Sequence, residues 1–63
     1  DEPVEASPSD RKRVLSLLSP SPIDVDDIIR ESRLPAAMVL GILLEFELAG
    51  KAARSSQQKI SLA

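Results

Sequence analysis

Leu34-Pro35-Ala36-Ala37-Met38-Val39-Leu40-Gly41-Ile42-Leu43-Leu44-Glu45-Phe46-Glu47-Leu48-Ala49-Gly50 is the stretch on which the fold turns. Pro35 suits the first position of a helix, because the N–H it lacks would be unpaired there and its φ is already helical. Gly50 suits a helix end, where the chain commonly turns left-handed. The spacing predicts a helix from Pro35 through Ala49. At 100° per residue, Val39, Ile42, Leu43 and Phe46 gather on one side, with Ala36 and Ala49 at its margins. That side is the expected core face.

Immediately upstream, Asp24-Val25-Asp26-Asp27-Ile28-Ile29-Arg30-Glu31-Ser32-Arg33 reads as a shorter helix. Asp24 serves as its cap, and Asp24 with Asp27 has the spacing of a capping box. Acids in its first turn and Arg30 and Arg33 in its last suit the helix dipole. Leu34 fills the tight turn between the two helices. Before them, Ser7-Pro8-Ser9-Asp10 is a helix start: Ser7 can cap, Pro8 fits the first position, and Asp10 can bond back. Val14, Leu15, Leu17 and Leu18 then make one face of a helix over about residues 8–18. Ser19-Pro20-Ser21-Pro22 stops it, two prolines removing donors and restricting the residues before them. Ile23 is a lone apolar residue in extended context.

After Gly50 the pattern changes. Lys51-Ala52-Ala53-Arg54-Ser55 is followed by polar Ser56-Gln57-Gln58, and then Lys59-Ile60-Ser61-Leu62 alternates with period two, so that Ile60 and Leu62 share a face. This reads as a two-stranded hairpin with a glycine-free loop. Such a hairpin is marginal alone, so Ile60 and Leu62 must pack on the helices. The expected fold is mainly α: a three-helix winged helix-turn-helix with a small C-terminal two-stranded hairpin. A plain three-helix bundle with a loose tail is the competing architecture.

Composition bounds the rest. The chain has 63 residues and a net charge of −2, with eight Lys+Arg against ten Asp+Glu. That length allows one domain with one small core. Leu, Ile, Val and Phe make about 30% of it, above the roughly 20% below which chains tend to stay disordered. Residues 1–8 are acidic, carry two prolines and have few large apolar groups, so they read as a disordered linker, with the domain at 9–63. The start Asp1-Glu2-Pro3, without Met, suggests a C-terminal domain excised from a longer chain. No 18-residue apolar run and no secretory signal occur, which makes the cytoplasm the expected compartment and the membrane an unexpected partner.

With no Cys and no His there is no disulfide framework, no thiolate or imidazole metal site and no histidine base. Asp24, Asp26 and Asp27 form a carboxylate cluster, but capping explains Asp24 and Asp27, and the spacing of a calcium loop is missing. No base is available to activate a serine, and no glycine-rich phosphate loop occurs. Neither catalysis nor a cofactor is expected.

Pro22 to Ile29, Leu34-Pro35-Ala36-Ala37, Val39, and above all Leu43-Leu44-Glu45-Phe46-Glu47-Leu48-Ala49-Gly50 resemble the C-terminal winged-helix domain of the DNA-processing protein A (DprA, also called Smf) family. The resemblance spans about residues 10–62. It implies a bacterial cytoplasmic parent whose larger, Rossmann-like upstream domain holds incoming single-stranded DNA during natural transformation and helps load the RecA recombinase. None of that domain's DNA contacts lies in this chain. Two departures from the family pattern argue against a DNA-inserting wing. Lys51 stands where an apolar residue is common, and the wing has no Gly at its tip.

In a winged helix that reads DNA, the third helix presents donors and acceptors to base edges. Here no basic residue lies between Pro35 and Gly50, and the only charges there are Glu45 and Glu47. Opposite the core face lie Ala37, Gly41, Leu44 and Leu48, an apolar stripe that is the candidate partner-binding surface. Ala37 and Gly41, small and four apart, would let another helix approach closely. Equally open is a rotated core that takes in Leu44 and Leu48. The candidate partners are the parent's upstream domain, RecA, or a second copy. The alternative function is weak DNA binding in which Arg11, Lys12 and Arg13 of the first helix and Lys51, Arg54 and Lys59 of the hairpin touch phosphates. So few charges supply only salt-sensitive affinity. The absence of Tyr and Trp removes the stacking platforms that single-strand binders use.

Overall fold

The computed structural model describes residues 7–63. Its elements run α1 (Pro8–Leu17), β1 (Ile23–Asp24), α2 (Val25–Ser32), α3 (Ala36–Leu48), β2 (Ala52–Arg54) and β3 (Lys59–Leu62). This is a winged helix: three helices with a small antiparallel sheet.

α1 begins on a full capping box. The Ser7 hydroxyl accepts from the Asp10 N–H at 3.2 Å, and the Asp10 carboxylate accepts from the Ser7 N–H at 3.1 Å. Ser7 and Pro8, grouped with the linker on composition, are thus the cap and first residue of α1; residues 1–6 of that segment lie outside the described residues. α2 is capped by Asp24, whose carboxylate accepts from the Asp26 N–H at 2.9 Å. The expected reciprocal partner, Asp27, bonds Arg30 instead, at 3.2 Å. Asp reaches less far than the Glu of a full capping box, and a cation one turn on outcompetes the backbone for it. α2 ends at Arg33, which is left-handed (φ 60°). Pro35 is the N-cap of α3 rather than its first residue.

α3 ends in a Schellman motif. Gly50 (φ 75°) donates to the Glu47 carbonyl, and Lys51 donates to that of Phe46. This turn sends the chain straight into the wing. The hairpin β2–β3 pairs Ala52 with Leu62, Ala53 with Ser61 and Arg54 with Ile60. The sheet has three strands rather than two, in the order β1-β3-β2, because Ile23 and Asp24 pair with Ile60 and Lys59. The outer edge of β3 would otherwise leave backbone groups unpaired. A two-residue strand is too short to show a period of two, so its partner is visible only in the fold. The Val25 N–H adds a bond to the Gln58 carbonyl at 2.7 Å. The loop Ser55–Gln58 contains no positive φ. It therefore closes without the glycine whose absence argued against a formed wing.

The core is where these elements meet. Val14 and Leu18 come from the α1 segment, Val25 and Ile28 from α2, and Val39, Ile42, Leu43 and Phe46 from α3; Ala52 and Ile60 come from the wing. Ile60 is fully buried at the middle of the central strand, which ties the sheet to the helices and excludes a loose tail.

Candidate functional site

α3 presents the predicted core face inward, and its opposite side meets solvent. Leu40, Leu44 and Leu48 are the large exposed hydrophobics, at 47%, 54% and 80% exposure. Ala37 and Gly41 are also exposed. The rotated core that would have taken in Leu44 and Leu48 is therefore not adopted: Val39, Ile42, Leu43 and Phe46 fill the interior without them. Leu40 was not singled out in the sequence. Its position beside Ala37 and Leu44 on the helical net is the signal that would have found it.

The stripe has two charged edges, because Glu45 and Glu47 fall on opposite sides of it. On one edge Arg11 grips Glu45 with two bonds, Nε to Oε2 at 3.1 Å and a terminal nitrogen to Oε1 at 3.3 Å. That guanidinium hydrogen bond holds the Glu45 carboxyl below its ordinary range. On the other edge Arg54 grips Glu47 in the same two-pronged way, at 3.1 and 3.3 Å, and also donates to the Gln57 carbonyl in the wing loop. A planar guanidinium and a carboxylate match in this geometry. Both edges are thus internally neutralised, and what lies between them is apolar.

The six candidate phosphate contacts differ in their partners. Arg11 and Arg54 are committed to α3's glutamates from opposite sides of the stripe. Arg13 donates to the Ser32 carbonyl at the end of α2, at 3.1 Å. Lys12, Lys51 and Lys59 are exposed, with no ion pair among the described residues. These pairings join residues up to 34 positions apart, a relation that local spacing does not carry.

The sequence matches the DprA winged helix domain over residues 1–58. The chain belongs to that family. No curated protein matches it. As a DprA winged helix, it keeps the helix-turn-helix and the wing but carries leucines where a DNA-reading third helix carries polar side chains. No helix among its described residues is long and apolar enough to cross a membrane.

Proposed function

We propose that this DprA winged helix is a non-catalytic protein-interaction module of a cytoplasmic DNA-processing protein, and that it docks through Ala37, Leu40, Gly41, Leu44 and Leu48. The observation that carries this reading is the exposed leucine stripe on α3, bordered by glutamates that have already captured Arg11 and Arg54. Exposed apolar surface of this kind, rimmed by polar groups, marks protein contacts. A DNA backbone meeting the same face would find two carboxylates and no uncommitted cation between Pro35 and Gly50.

The family resemblance supplies the partners to try: the parent's Rossmann-like upstream domain, which would hold the single strand, and RecA. Chemical-shift mapping with each should move α3 resonances around Leu44 and Leu48, and Leu48→Lys should remove the effect. The same spectra recorded with single- and double-stranded oligonucleotides at two salt concentrations test the alternative. Salt-sensitive shifts confined to Lys12, Lys51 and Lys59, with α3 silent toward both proteins, would replace this reading with phosphate binding.

A further inference from the structure

We infer that the outer face of α3 pairs with the same face of a second copy, the two helices running antiparallel about a two-fold axis. This rests on reading that face as a protein-binding surface, and it names the partner.

The first argument is shape. A two-fold interface must be complementary to itself. The centre line of the stripe is graded in size, with small Ala37 and Gly41 toward the start of α3 and large Leu44 and Leu48 toward its end, while exposed Leu40 lies off that line toward the Glu47 edge. A parallel pair would set large on large. One axis passing α3 between positions 42 and 43 sets Leu44 over Gly41 of the copy and Leu48 over Ala37 of the copy at once. A single register therefore satisfies both contacts.

The second argument is Gly41. A Cβ built there meets nothing within 4 Å, and its backbone is not in the left-handed region. Glycine inside a helix is unfavourable relative to alanine. Nothing within the chain requires this one, whereas the close approach of another helix does.

The third argument is charge. A two-fold axis of this kind lays each edge of the stripe beside its own twin, Arg11–Glu45 against Arg11–Glu45 and Glu47–Arg54 against Glu47–Arg54. Each edge carries both signs, already paired within its own copy, so twin edges meet without an excess of like charge. A partner of uniform charge gains nothing from such edges. The seam is one face of a 13-residue helix, about 20 Å long, so the interface falls at the small end, under about 1,200 Å² in total. The association is correspondingly weak and suited to reversible pairing.

Sedimentation equilibrium of the chain tests this between about 10 µM and about 1 mM, the range in which so small an interface would populate. The mean mass should rise from 6.8 kDa toward twice that value. Leu44→Lys and Gly41→Leu, both at exposed positions, should weaken association at least tenfold while leaving undiminished the thermal midpoint measured at concentrations where the chain is monomeric. A chain that stays monomeric throughout, or pairing that survives both substitutions, overturns the inference. The register is tested by cysteine pairs, since the chain has none of its own. An oxidised mixture of Ala37→Cys and Leu48→Cys should give mainly the mixed disulfide; a majority of like-with-like products overturns the antiparallel arrangement. A monomeric chain whose Leu48→Lys variant still loses the contacts sought with the upstream domain or RecA defeats self-pairing alone. If those contacts are also unaffected, the interaction reading falls with it.

Discussion

Arg33 sits at φ 60° and ψ 25°, the only non-glycine residue with positive φ among those described. Its Cβ pays for that conformation by crowding the backbone, at about 1 kcal/mol. The reason it is tolerated lies next to it. Ser32 is fully buried, its hydroxyl donating to the Ile29 carbonyl and accepting from the Leu34 N–H, while its carbonyl takes the Arg13 guanidinium. These bonds hold the α2–α3 turn whatever residue follows. Arg33→Gly should therefore stabilise the domain by about 0.5 kcal/mol after the extra freedom of an unfolded glycine is subtracted, a gain of a few degrees in thermal midpoint. Thermal denaturation of the two chains checks it; an unchanged or lower midpoint would mean that the arginine's attraction to the helix C-terminus outweighs the strain. The αL position is unreadable from Arg33 itself, because glycine or asparagine would be the usual signal there.

At the scale of elements, the wing depends on α3 for its shape. β2 and β3 are three and four residues long, and their loop closes without glycine. What spans the gap is Arg54, which holds Glu47 of α3 and the Gln57 carbonyl together; the side chains of Arg54 and Glu47 are only 31% and 23% exposed. Arg54→Ala should cost about 1 kcal/mol, more than a typical surface pair because the contact is two-pronged and half-buried. Amide exchange at Ser55–Lys59 should quicken, whereas that of α1 and α2 should change only as the global stability does. Uniform acceleration across the domain would show that the pair does not hold the wing locally. The hairpin itself was legible in the alternation of Lys59 to Leu62. The third strand and the arginine clamp were not, since two residues at Ile23–Asp24 and a seven-residue gap between Glu47 and Arg54 carry no period.

At the scale of the molecule, the helices are joined by one buried core and by surface carboxylates whose acidity the fold alters. Bonds from the Ser7 N–H and hydroxyl lower the Asp10 carboxyl from its ordinary value near 3.8, and Arg11 lowers Glu45 from near 4.5. Each is a stronger acid folded than unfolded, so the unfolded state binds protons more readily as acid is added. The stabilisation is complete above those ordinary values and is lost as pH falls through the lower folded ones. The thermal midpoint should therefore decline on acidification below about pH 4.5. Glu45→Gln should be less stable than the parent at neutral pH, and the difference should close in strong acid, where Glu45 is protonated as well. A gap that stays constant with pH would show that the Arg11–Glu45 bridge contributes nothing through charge.

Local sequence determined the three helices, the Ser7 and Asp24 caps, the Gly50 stop, the inward face of α3 and the absence of any base on its outer face. Periodicity, proline, glycine and serine act on their near neighbours, so these features are written within a turn or two of where they operate. Only the tertiary structure decided that Leu44 and Leu48 stay outside, that Ile23 joins the sheet, and that Arg11 and Arg54 pair with Glu45 and Glu47. A helix apolar on both sides does not say which side the core will choose. That choice belongs to the elements that pack against it: α1, α2 and the wing bring Val14, Leu18, Ile28, Ala52 and Ile60 to one side of α3 and leave the other uncovered.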